Sequence, residues 1–191
     1  MTKHLVEGDS FPQDYRLDRK LAESHQRTAW IATHERTGER VVIKCLPSDQ
    51  DNREYEQLRD RIQSLRGLVH PNIVSPRTAG QDEDIDYIIE SWVPDARKTG
   101  WEDHAWSILD QIISALSYTH SLGIAHGHLH PDNLLITPDG TVHITGFGLP
   151  SYTERFDFYQ SPQVRAGESP APADDIYSLG CTTGYCPCSI A

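Results

Sequence analysis

Apolar positions along the chain fall first into short alternating runs and later into runs spaced by three and four. Residues 15–21, 29–33 and 40–46 alternate as half-buried strands do. The second and third are divided by Glu35-Arg36-Thr37-Gly38-Glu39, a charged hairpin turn with a glycine. From 52 to 68, Tyr55, Leu58, Ile62, Leu65 and Val69 form one stripe on an otherwise charged helix. His70-Pro71 stops that helix, because a proline pushes the residue before it out of the helical region. Two more strands are predicted near 73–77 and 86–93, joined by the solvated acidic turn Gln81-Asp82-Glu83-Asp84. A second helix spans about 100–122, with Thr99 and Glu102 as a capping box and Gly123 as its stop. Ala105, Ile108, Leu109, Ile112, Ile113 and Leu116 are its expected buried face. Short strands at 133–137 and 142–145 flank the turn Pro138-Asp139-Gly140. Residues 149–174 read as loop, with Asp174 or Asp175 capping a final helix that barely starts. The pattern predicts an α+β chain in two lobes: a polar lead-in at 1–14, a five-stranded lobe with one helix at 15–93, and a mainly helical part at 94–191.

Charge and cysteine content narrow the function. The chain carries 17 basic and 28 acidic side chains, a net charge of −11, so phosphate backbones and anionic membranes repel it. Neither a membrane-length apolar run nor a signal peptide is visible. Cysteines stand at 45, 181, 186 and 188, which is no secreted disulfide framework, so a cytoplasmic setting is expected. Cys186-Pro187-Cys188 is a poor metal site with only Cys181 nearby.

Several segments then occur in a telling order. They are Val41-Val42-Ile43-Lys44, His70-Pro71-Asn72-Ile73-Val74, His126-Gly127-His128-Leu129-His130-Pro131-Asp132-Asn133, Gly146-Phe147-Gly148, Ser161-Pro162-Gln163 and Asp175-Ile176-Tyr177-Ser178-Leu179-Gly180. Together they resemble the protein kinase family, in its bacterial-type Ser/Thr branch, over about 15–181. The resemblance implies a two-lobe kinase-like fold. The N-lobe is a five-stranded antiparallel sheet with one regulatory helix, and the C-lobe is incomplete and mainly helical. The match ends where the central helix of the larger lobe begins, which reads as a truncated gene product or a fragment.

Departures from the family pattern decide the chemistry. The catalytic-base aspartate of such a loop is His128, its lysine is His130, and the magnesium-binding aspartate is Gly146. Gly127 replaces the arginine that reads an activating phosphate, and Ala22, Ser24 and Arg27 replace the phosphate-covering glycines. The helix glutamate expected to pair with Lys44 falls on Arg61, or on Asp60 if the register slips by one. A general base is worth about 10²–10⁴ in rate and an electrostatic donor about 10²–10³. Losing both implies a pseudokinase. No catalytic residue is expected, no cofactor is expected, and magnesium binding is disfavoured.

Any weak ATP binding would use Lys44, Asn133, Ala29, Val42, Leu135, Glu90 and Trp92. Glu90, or Ile89 in a register shifted by one, guards the back of that pocket, and Glu90 is expected to pair with Lys44 or Arg61 and fill the site. The resemblance also implies an apolar column of Leu65, Pro76, His126 and Phe147. The short segment 149–160 carries Tyr152 and Thr153 as modifiable hydroxyls. The reading that follows is a protein-binding or regulatory scaffold with a protein partner, and self-association through an uncovered Ile112/Leu116 face. The alternatives are a residual kinase on Lys44 and Asn133, a metal hydrolase on His126, His128, His130 and Asp132, and a non-functional remnant.

Overall fold

The computed structural model describes residues 4–24, 27–47, 53–97, 105–149 and 154–183. The chain forms two compact units, residues 1–67 with 75–92, and residues 68–74 with 93–191. Among the described residues, no helix is long and apolar enough to cross a membrane.

The first unit is an antiparallel sheet of β1 (Tyr15–Ser24), β2 (Arg27–His34), β3 (Arg40–Pro47), β4 (Pro76–Asp82) and β5 (Ile85–Ser91), in the order β1-β2-β3-β5-β4. Its strands alternate, so each face has one character. Leu17, Trp30, Ala32, Val41, Ile43, Cys45, Ile85 and Ile89 form the core of one face. Residues 4–14, polar by count, seat Leu5 and the fully buried Phe11 in that same core. Backbone bonds hold this segment to β1, from Gly8 N to the Leu17 carbonyl and from Leu17 N to the Asp9 carbonyl, both 2.8 Å. Tyr87 lies edge-on to Phe11 and over Gly80, where an added Cβ would run into the ring. Burial of the phenol pushes the Tyr87 hydroxyl pKa up.

Helix α1 (Arg53–Leu65) buries Leu58, Ile62 and Leu65 and lies beside β4. It stops before Arg66-Gly67, so Val69 leaves the predicted stripe and stands exposed. The strand expected at 73–77 is divided. Ile73 bridges Ile144 in the second unit, and β4 begins at Pro76, where a missing N–H removes no ladder bond.

In the second unit, α2 (Ala105–Ser121) buries Ile108, Ile112, Ala115, Leu116 and Thr119. The buried stripe is rotated from the predicted one, leaving Ala105 and Ile113 exposed. Ile112 and Leu116 are buried, where the sequence predicted an uncovered face. The predicted cap at Thr99 and Glu102 lies outside the described residues. Strands β6 (Leu134–Ile136) and β7 (Val142–Ile144) pair antiparallel. Asn72 Nδ2 donates to Gln111 Oε1 and to the Val142 carbonyl, each at 2.8 Å, and so ties the segment after α1 to α2 and β7.

The region read as loop carries structure. A 3-10 turn at Glu154–Tyr159 precedes α3 (Pro162–Arg165), whose first turn is capped by Ser161 Oγ accepting from Val164 N at 3.2 Å. Helix α4 (Pro172–Thr182) begins before the acids thought to cap it, with Ala171 at the N-cap and proline in the first turn. Asp174 reaches back to accept from Ala171 N at 2.7 Å, while Asp175 turns inward.

Candidate functional site

The first unit places the predicted nucleotide-side residues on the sheet face opposite its apolar core. Ala29 is the cross-strand partner of Lys44, and Val42 that of Glu90. Alternation therefore sends Ile89 into the core and Glu90 to the side of Lys44, which resolves the register left open by the sequence. Glu90 Oε2 lies 2.7 Å from Lys44 Nζ, with side-chain exposures of 2% and 11%. Lys44 thus draws its counter-charge from β5, whereas Arg61 is exposed on α1. Ala29, Val42 and Trp92 are half-buried, and Ala22 is exposed near the end of β1. The tip of that hairpin, residues 25 and 26, lies outside the described residues.

The second unit builds a loop from 126 to 133 around one carboxylate. Asp175 is fully buried and accepts from His126 N at 2.7 Å and Gly127 N at 2.8 Å, while His120 Nε2 sits 2.7 Å from its Oδ2. Gly127 holds φ +76°, and a Cβ there would lie 3.0 Å from Pro170, so the turn that aims its N–H suits glycine. The His126 ring packs against Phe147 with centroids 4.4 Å apart. Its Nε2 faces the Thr145 carbonyl at 3.0 Å, and its Nδ1 accepts from His128 N at 3.1 Å.

His128 and His130 are both buried, with ring centroids 4.5 Å apart. Pro131–Asn133 forms a 3-10 turn that His130 caps, its Nδ1 accepting from Asp132 N at 3.2 Å. Asn133 is buried behind this turn. Its Nδ2 donates to the His128 carbonyl at 2.8 Å and lies 2.9 Å from His130 Nε2. Leu135 is half-buried on β6, opposite His143.

Gly146 adopts φ +87°, and a Cβ on it would come within 2.9 Å of Asn133 Oδ1 and 3.0 Å of Cγ and Nδ2. The space an aspartate side chain would need is filled by the asparagine amide. Magnesium therefore does not fit these residues. Position 146 has neither a carboxylate nor room for one. The histidine-metal alternative also fails on geometry, because both His126 ring nitrogens are committed to the backbone. Among the described residues, no three His, Cys, Asp or Glu side chains are grouped to hold a metal ion. Tyr152, Thr153, Cys186 and Cys188 lie outside the described residues.

Sequence reasoning missed the role of Asp175, which it treated as a helix cap. The signal available was its place three residues into an apolar-faced helix, where a cap would not stand.

Comparison with known proteins adds an independent line. Residues 15–186 match the family described as "Protein kinase domain". The chain is 30% identical to serine/threonine-protein kinase PknA of Mycobacterium tuberculosis, over 90% of this chain and 46% of that protein. It is 28% identical to serine/threonine-protein kinase PrkC of Bacillus subtilis, over 92% of this chain and 30% of that protein. The chain thus spans less than half the length of these relatives. Among solved structures, a point mutant of the Mycobacterium tuberculosis PknI kinase domain matches with a TM-score of 0.75 and 21% identity, over 95% of this chain and 76% of that one. That likeness shows the fold.

Proposed function

The chain belongs to the protein kinase family and has its fold, and on that premise we propose that it is a catalytically inactive, pseudokinase-type module that works by binding a partner protein. One observation carries the reading: Gly146 stands where the family's magnesium-binding aspartate belongs, and the Asn133 amide fills the space beside it. His128, at the catalytic-base position, compounds the loss, since it is buried and packed edge-on against His130. Phosphoryl transfer depends on positioning and charge neutralisation, and both of the groups that supply them are gone. What persists is the scaffold of the loop, with Asp175 holding His126 and Gly127 and Phe147 packed on His126. A fold that keeps its supports without its chemistry is suited to presenting surface, and a net charge of −11 directs that surface to proteins rather than polyanions.

Phosphate transfer from labelled ATP, with magnesium or manganese, to the chain itself and to general protein substrates tests the reading. The expected incorporation equals that of a Lys44→Met variant. Incorporation that Lys44→Met abolishes would overturn it.

A further inference from the structure

Lys44 is the cation that the kinase resemblance assigns to a nucleotide's phosphates, yet in this chain it is already closed on a carboxylate. We propose that Glu90 is an internal anion that occupies Lys44 in place of those phosphates, so that the chain masks its own phosphate-recognition cation and refuses nucleoside triphosphates. The inference rests on the non-catalytic reading above and specifies how the same region treats a ligand.

Three features of the pair carry it. The contact is direct, at 2.7 Å, and nearly dry on both sides. It is also built into the sheet. Glu90 stands opposite Val42 and Lys44 opposite Ile88, so the two side chains meet across one diagonal of neighbouring antiparallel strands. Further register pairs between β3 and β5, from Val41↔Ser91 to Pro47↔Ile85, fix that diagonal. The ladder thus fixes the backbone from which Glu90 reaches Lys44.

The third feature is the cost of exchange. A triphosphate reaching for Lys44 would separate a buried ion pair and leave the Glu90 carboxylate buried beside the incoming charge. Like charges brought together in a poorly solvated place repel strongly.

The test uses the whole chain and inorganic triphosphate, with ATP in parallel, both without magnesium, followed by thermal shift and equilibrium titration. The wild-type chain should show no shift at millimolar probe. Glu90→Gln should melt at a lower temperature, and the probe should raise it again by several degrees, with affinity at least about tenfold above wild type. A Lys44→Met/Glu90→Gln chain should lose that gain. Equal binding by wild type and Glu90→Gln, or a folded Glu90→Gln chain without any gain, would overturn the masking.

Should Glu90→Gln fail to fold, Lys44→Leu/Glu90→Leu decides. Masking by a coupled pair requires the double variant to recover much of the melting temperature that Glu90→Leu alone loses. A double variant no better than the single would overturn it. Wild-type binding of magnesium-free ATP without phosphate transfer would sink the masking while leaving the proposed function in place.

Discussion

Asn133 and Gly146 are fitted to each other, with the asparagine amide occupying the volume that any side chain at 146 would need. Simple restoration of the family residue should therefore fail. Gly146→Asp is expected to destabilise the chain by about 1–3 kcal/mol, from a left-handed φ as well as from crowding. Urea denaturation measures this, and an activity assay should detect no gained phosphate transfer. Asn133→Ala in the same chain should return part of the loss by opening the space. A Gly146→Asp chain as stable as wild type would show the crowding to be unimportant.

Asp175 should prove the most costly single change in the second unit. It is fully buried and serves two backbone amides and a histidine, so Asp175→Ala leaves several groups without their acceptor. A loss of about 3–5 kcal/mol is expected. Hydrogen exchange should localise the effect, with the His126 and Gly127 amides exchanging faster while the β1–β2 hairpin is unaltered.

Phe11 tests whether the first residues belong to the fold. Its ring is fully buried against Tyr87 in the sheet's core. Phe11→Ala should cost about 3–5 kcal/mol, as a large core truncation does. Loss of less than about 1 kcal/mol would mark residues 4–14 as a dispensable flap.

His143 gives a pH signature. Partial burial of its ring lowers its pKa from the usual 6.5, opposed by the charge of Asp139. Below pH 6.5 the unfolded chain takes up that proton more readily than the folded one, so this contribution to stability is present above the ordinary value and fades as pH falls. His143→Gln should therefore lose less melting temperature than wild type between about pH 6.5 and 5. Parallel curves for the two chains would show that the ring carries no such linkage.

What the sequence disclosed and what it hid divide along contact distance. Alternation in β1–β3 and β5 placed the sheet, and the same alternation decides between Glu90 and Ile89 once the strands are registered. The missing aspartates at 128 and 146 were visible without a structure. The burial of Leu5 and Phe11 was not, because local polarity outweighs two apolar residues in so short a segment. Likewise, Asn72 reaching Gln111 and Val142, and Asp175 reaching His126, join positions far apart in the chain, where no local periodicity registers them. The loop assigned to 149–174 failed for a related reason: its helical turns are only four to six residues long and too brief to show a period.

The anchoring of residues 126 and 127 by Asp175 also sets an order of assembly. The carboxylate that fixes these two amides lies 49 and 48 positions further along the chain. On a ribosome, where the chain emerges from its N-terminus, the loop stays without its acceptor until α4 has been made. The sheet of the first unit needs nothing beyond residue 92 and is available to fold well before that. The histidine-bearing loop is thus among the last parts of the protein to take shape, and a chain ending short of residue 175 would carry all of that loop's residues without its geometry.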